Sequence, residues 1–196
     1  MSRPTFARID LDALVQNVKA VKGLIGGRKI CAAVKADAYG HGGPAVAKAM
    51  SMAGVEMFGV AMTEEAAELR EAGIRKPLIL LTAVPEEDID EILELGITAC
   101  ITEEEFARRF SERAVASGRV AQAHVNVDTG MRRVGIPHEQ AGEAILRISQ
   151  LPGLKLTGIF THFACSDAED LSASRLQLNR FNRVIGALKS AGFELP

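Results

Sequence analysis

Short apolar runs alternate along this chain with stretches in which apolar residues recur every three or four positions. ICAAV (30–34), MFGVAM (57–62), PLILL (77–81), ITACI (97–101), AHVNV (123–127) and LKLTGIF (154–160) read as strands. They lack polar alternation, which belongs to strands covered on both faces or closed into a barrel. Between them the spacing predicts amphipathic helices near 11–25, 44–53, 64–72, 86–95, 103–117, 137–150 and 171–190. Asp10 stands before the first as an N-cap, Pro44 occupies a first helical position, and Thr102 with Glu105 spells a capping box.

Helix-like segments end on a repeated signature, a glycine that hands over to the next apolar run: Ala53-Gly54-Val55, Ala72-Gly73-Ile74, Leu95-Gly96-Ile97, Ser117-Gly118 and Ala191-Gly192-Phe193. This is the left-handed cap that stops a helix. The first four glycines lie 19, 23 and 22 residues apart, the size of one short helix plus one short strand. Alternating α and β elements imply a parallel sheet, so the fold class is α/β with six core strands. No linker-like or low-complexity stretch interrupts the pattern, and residues 1–196 read as one domain.

Composition changes this picture little. With 47% hydrophobic and 24% charged residues, the chain reads as an ordinary globular protein, neither disordered nor collagen-like. Its apolar runs fall far short of the roughly 18 residues a membrane span needs, and the first 15 residues carry no apolar signal region, so a cytoplasmic location is expected. A net charge of -2 gives no global electrostatic case for nucleic acid or an anionic membrane. Cys31, Cys100 and Cys165 are odd in number and set in apolar runs, which reads as free, buried thiols in a reducing compartment and leaves no metal site.

A parallel α/β chain gathers its chemistry at the carboxyl ends of its strands. The first core strand ends in Lys35, alone among eight lysines in following five consecutive apolar residues. Partial desolvation of such an amine favours Schiff-base chemistry, although a lysine snorkelling from a strand end is the commoner reading of position alone. The loop that follows, ADAYGHGG, holds Gly40, Gly42 and Gly43 for close backbone approach, with Tyr39 and His41 as hydrogen-bond donors to an anion. The fifth strand ends in NVDTGMRRVG (126–135), whose Arg132 and Arg133 include one candidate for planar binding of a carboxylate or phenolate. His162, in THFACSD (161–167), stands at the end of the sixth.

KADAYGHG at 35–42, VDTGMRRVG at 127–135 and THFA at 161–164 closely resemble the N-terminal barrel of the alanine racemases, pyridoxal-phosphate enzymes of fold type III. The resemblance runs along essentially the whole chain. It implies a (β/α)8 TIM-barrel type fold, here truncated to about six βα units, with the last barrel strands and a C-terminal β-domain absent. It implies pyridoxal 5'-phosphate as cofactor, a small amino acid as substrate, interconversion of L- and D-alanine as a source of peptidoglycan precursor, and a homodimer. Lys35 matches the lysine that holds the cofactor as a Schiff base and serves as one of two racemisation bases. Tyr39 matches the tyrosine that hydrogen-bonds the cofactor phosphate. Arg133, with Met131 beside it on the substrate side, matches the arginine that contacts the cofactor phenolic oxygen and the substrate carboxylate. His162 matches the histidine that supports an arginine under the pyridine nitrogen.

Three departures stand out. Many relatives carry at the place of Asn126 a lysine that becomes carbamylated and positions the arginine, which an amide cannot reproduce. Arg132 stands where glycine is usual. The only tyrosine is Tyr39, so the second base, a tyrosine of a partner subunit in the family, is absent from this chain. The 196 residues alone are therefore expected to be inactive, to hold the cofactor weakly and not to form a well-behaved monomer. A non-catalytic cofactor-binding barrel is the alternative reading, although such proteins lack KADAYGHG and DTGM. A Schiff-base aldolase would explain Lys35 but not Tyr39, Arg133 and His162 together.

Overall fold

The computed structural model describes residues 5–194, and contacts group the chain into two compact units, Met1–Ile79 and Leu80–Pro196. The first unit runs α1 (Leu11–Leu24), β1 (Cys31–Ala33), α2 (Lys35–Gly40), α3 (Gly43–Met52), β2 (Met57–Val60) and α4 (Thr63–Glu71), reaching its boundary within β3 (Leu78–Leu80). The second continues with a 3-10 turn (Glu86–Asp88), α5 (Ile89–Leu95), β4 (Ala99–Ile101), α6 (Glu104–Ala116), β5 (Ala121–Asp128), β6 (Ile136–Pro137), α7 (His138–Ser149), β7 (Leu154–Phe160) and α8 (Ser172–Ser190).

Every expected strand forms, and β6 is added to the six read from the sequence. In the first unit the order is β1-β2-β3, with Cys31, Ala32 and Ala33 paired in parallel to Met57, Phe58 and Gly59. In the second unit β5 is central and pairs in parallel with β4, β6 and β7. Val46, Ala47, Phe58, Val60, Ala66 and Leu69 are buried in the first unit. The second buries Ile92, Ile101, Phe110, Ile145, Ile148 and Leu188, and Phe106 stacks on Phe110 at 5.9 Å between ring centroids.

The glycine signature does what its position implies. Gly54, Gly73, Gly96, Gly118 and Gly192 all have φ between 61° and 95°. At each, the next residue's N–H reaches back five residues, as from Val55 to the Met50 carbonyl and from Ile97 to that of Ile92. This six-to-one bond satisfies a last-turn carbonyl and aims the chain into the following strand. At the other helix ends, Asp10 caps α1 by accepting from Asp12 and Ala13 N–H groups. The Thr102–Glu105 box does not form: Glu103 is the cap residue of α6, and Glu105 bonds Arg108 and Arg109 because charged partners at helical spacing outcompete a backbone N–H. The segment read as one helix at 86–95 splits into the 3-10 turn and α5.

The cysteines are free, as expected, but only Cys100 is buried; Cys31 is exposed and Cys165 half-buried. Cys31 belongs to β1, where Ala33 is exposed as well. Among the described residues no helix is long and apolar enough to cross a membrane, and no cluster of metal-ligating side chains occurs.

At the amino end of the β1–β2 pair, the Glu56 carboxylate accepts from the Ile30 N–H and from Lys22 Nζ, both at 2.8 Å. The Ile30 N–H first, and then Lys22, hold its carboxyl below the usual range. A depressed folded value contributes stability that is complete above the unfolded value and lost as pH falls through the folded one. Stability is therefore expected to decline on acidification from about pH 5 downward. In urea titrations across that range, Glu56→Gln should flatten the acid slope, and an unchanged slope would remove Glu56 from the account.

Candidate active site

Lys35 stands one residue beyond β1, after Val34, half-buried, and opens α2. The sequence reads this stretch as a loop, but the backbone closes into a turn of reversed hand. Ala36, Asp37, Ala38 and Tyr39 have φ of 51–55° and ψ of 39–52°, and Gly40 and Gly42 continue at positive φ. Left-handed backbone costs an L-residue about 1–2 kcal/mol, so four in succession need compensation. Several bonds provide it. The Ala38 N–H donates to the Val34 carbonyl at 2.8 Å, the Gly42 N–H to the Asp37 carbonyl at 3.0 Å, and the Gly43 N–H to Asp37 Oδ1 at 2.5 Å. The N–H of Ala36 donates to Glu65 Oε1 at 2.6 Å.

His41 Nδ1 lies 2.9 Å from the Ala38 carbonyl and 3.1 Å from that of Tyr39, so Nδ1 carries a proton and is occupied by backbone. The donor that the sequence offers to an anion is thus partly spent within the turn. Tyr39 remains 60% exposed, and with His41, Asp10 and Asn17 it borders a cavity of about 580 Å³.

In the second unit, Asp128 ends β5 and its Oδ1 accepts from the N–H groups of Gly130 and Arg132 at 2.9 and 3.0 Å. That carboxylate shapes the turn in which Arg132 has φ 55°, a left-handed conformation that glycine adopts without strain. Met131 is half-buried, and Arg132 and Arg133 are exposed. Asn126 is buried on β5 and hydrogen-bonds Cys100, whose thiol burial pushes up to about 12. An added Cβ at Gly135 would lie 2.9 Å from the Asn126 carbonyl oxygen and 3.0 Å from the Asp128 nitrogen. Two residues before Asn126 on the same strand, His124 sits against Phe160, and burial lowers its pKa.

Gln177 on α8, only 3% exposed, joins the two motif segments of this unit. Its Nε2 donates to Thr129 Oγ1 at 3.0 Å and to the His162 carbonyl at 2.9 Å, while its Oε1 accepts from the Ala164 N–H at 3.0 Å. The Thr129 and Thr161 hydroxyls meet at 2.7 Å, and Arg180 Nη1 donates to the Thr129 carbonyl at 2.8 Å. DTGM and THFA are therefore one connected network, and His162 is held in it through its backbone, its side chain being exposed. Lys35 and Tyr39 share the reversed turn of the first unit; Met131, Arg133 and His162 belong to the second. Glu65 and Gln177 escape sequence reasoning, since each reads as an ordinary polar position on an amphipathic helix.

A family model described as "Alanine racemase, N-terminal domain" matches residues 9–196. The alanine racemase of Clostridium tetani is 40% identical over 194 residues, 98% of this chain and 50% of that protein. That of Carboxydothermus hydrogenoformans is 37% identical over 193 residues, 98% and 52% respectively. The chain thus spans about half the length of the curated relatives it matches. Among solved structures, the alanine racemase of Clostridium difficile 630 in complex with cycloserine superposes with a TM-score of 0.95 at 35% identity, covering 100% of this chain and 54% of that one. A histidine racemase from Leuconostoc mesenteroides matches with a TM-score of 0.84 at 28% identity, covering 95% and 48%. This likeness bears out the α/β TIM-barrel type as the fold class.

Removing Gln177 as an amide while keeping its bulk, Gln177→Met, should cost about 1–3 kcal/mol, because the buried Thr129 hydroxyl and the part-buried Ala164 N–H and His162 carbonyl lose their partner. Gly135→Ala should cost about 1–3 kcal/mol through backbone strain and contact with Asn126. Denaturant midpoints measure both, and neutral outcomes would show that these segments relax freely.

Proposed function

Since this chain belongs to the alanine racemase N-terminal domain family, we propose that it supplies the lysine-bearing half of a pyridoxal-phosphate enzyme that interconverts L- and D-alanine. On this reading residues 1–196 are its N-terminal barrel domain, incomplete without the remaining strands and a C-terminal β-domain. The observation that carries the reading is the reversed turn after β1, which places Lys35 at its start and the exposed Tyr39 at its end, within one backbone segment five residues long.

The donors present suit the cofactor's chemistry. An amine at a strand end meets its aldehyde, a phenolic hydroxyl its phosphate, and a guanidinium its phenolate oxygen together with a substrate carboxylate. Lys35, Tyr39, Arg133 and His162 are the residues assigned to hold it. Pyridoxal phosphate, when bound, supplies the electron sink that makes the α-proton of an amino acid removable. Lys35 Nζ would hold the cofactor through its aldehyde and, once freed from it, would be the group that takes or returns the α-proton on its own face of the substrate. Tyr39 Oη donates a hydrogen bond to the phosphate and fixes the register of the group. Arg133 orients the substrate by its carboxylate, with Met131 alongside, and His162 supports the pyridine side of the site. Inversion needs a second base on the opposite face; with one tyrosine in the chain, assigned to the phosphate, that base is proposed to come from a partner subunit of a homodimer. A cytoplasmic enzyme feeding D-alanine to peptidoglycan precursors is the setting this implies, and free cysteines agree with a reducing compartment.

In the full-length protein, Lys35→Ala should abolish both the cofactor absorbance and the racemisation of alanine; normal turnover in that variant would sink the assignment. Tyr39→Phe should weaken cofactor retention by the about 1.5–3 kcal/mol of a charge-assisted hydrogen bond. Arg133→Lys should lower kcat/KM about tenfold or more, because an ammonium cannot span two acceptors as a planar fork does. Arg132→Gly should instead leave turnover intact and raise stability by about 0.5–1 kcal/mol through relief of its left-handed backbone. Equal losses at the two arginines would mean that the wrong one is assigned.

A further inference from the structure

We propose that Glu65 is the positioning residue for Lys35: its carboxylate ties the reversed turn that carries Lys35 and Tyr39 to the carboxyl end of the adjacent strand. The inference rests on the reading that Lys35 carries pyridoxal phosphate. Glu65 occupies the third position of α4, and its Oε2 accepts from the N–H groups of Ala61 and Met62 at 2.7 and 3.3 Å. Used that way, the carboxylate caps its own helix where β2 hands over to α4. Its other oxygen reaches a segment 29 residues earlier and takes the Ala36 N–H at 2.6 Å.

Ala36 is the residue immediately after Lys35, and its N–H stands where the β1–β2 ladder has ended. The last bond of that ladder runs from the Val34 N–H to the Gly59 carbonyl at 2.8 Å. Lys35 is thus bracketed by two attachments to the β2 segment, a backbone bond on one side and the Glu65 carboxylate on the other. The other bonds of the turn, from Ala38 to Val34, from His41 to the Ala38 and Tyr39 carbonyls, and from Gly42 and Gly43 to Asp37, are local to it and its flanks. They stabilise its hand without fixing its orientation on the sheet. Without Glu65 the turn can swing about Val34, and the amine and the Tyr39 hydroxyl swing with it. Glu65 acts through backbone and is assigned no contact with substrate or cofactor.

The first unit also holds a matched control. Glu56 clamps a backbone N–H, that of Ile30, by the same chemistry at the opposite end of the same strand pair. A merely structural role for Glu65 would make Glu65→Gln and Glu56→Gln behave alike.

The test uses the full-length protein in two arms. Amide hydrogen exchange of the 34–39 segment is read without cofactor. Loading of Lys35 is read by titrating pyridoxal phosphate, reducing with borohydride and quantifying the modified peptide by mass spectrometry. Glu65→Ala is expected to speed exchange at Ala36 and to raise the half-loading concentration about tenfold, equivalent to about 1.4 kcal/mol. Glu56→Gln should change loading less than about twofold at comparable thermal destabilisation. Glu65→Gln, which keeps one acceptor oxygen and serves if the alanine variant does not fold, should fall between Glu65→Ala and the unsubstituted protein. Unchanged loading in Glu65→Ala, or equal losses in Glu65→Gln and Glu56→Gln, would overturn the proposal. Absence of Lys35 modification in the unsubstituted protein would instead overturn the proposed function, while the exchange arm would still decide whether Glu65 holds the turn.

Discussion

Backbone that leaves the end of a parallel strand carries N–H and C=O groups the next strand no longer reaches, and the site-bearing segments of this chain satisfy several of them with side chains, some their own and some brought from elsewhere. Asp37 and Glu65 do this for the turn after β1. Asp128, Gln177 and Arg180 do it for the segments after β5 and β7. In both units a carboxylate or amide with two usable oxygens, or with opposed donor and acceptor, connects pieces that the sheet itself leaves separate. The strands supply a platform; the irregular chain above it takes its shape from these few polar side chains.

What the sequence discloses follows from how local each signal is. Helix ends are legible because a glycine at a left-handed cap acts on its own neighbours, and Gly54, Gly73, Gly96, Gly118 and Gly192 all adopt the positive φ their placement implies. The continuous apolar runs are legible for the same reason. β6 is not, since two residues including Pro137 present neither a run nor a period. The turn at 36–39 is hidden because Ala and Tyr favour right-handed backbone, and the bonds that reverse its hand come partly from a glutamate 29 residues on. The capping box at Thr102 fails through competition, with Arg108 and Arg109 within reach of Glu105. Burial of Cys31 is misread because an apolar run does not tell which face of its strand is covered. The motif residues themselves stand out through family resemblance, while Glu65 and Gln177, which hold motif segments through their backbone, look like any polar helix residue.

The half-length of the chain relative to its curated relatives sharpens the division of labour. A histidine racemase shares this portion of the fold at a TM-score of 0.84 and 28% identity. Arg132 shows how much departure this scaffold accepts: its strain is local to one exposed turn and is offset by two backbone bonds to Asp128.

The reversed hand of the turn at 36–39 also sets a limit on drift. A left-handed backbone admits glycine freely, asparagine and aspartate at small cost, and alanine at somewhat more, but it places the second γ-substituent of valine, isoleucine or threonine against the main chain. Of the single-nucleotide neighbours open to an alanine codon, valine and threonine are thus closed at Ala36 and Ala38 on conformational grounds, whatever the surroundings would tolerate. Lineages that keep this turn are confined to a short alphabet on both sides of Asp37, and the near-invariance such positions would show is a record of chirality before it is a record of chemistry.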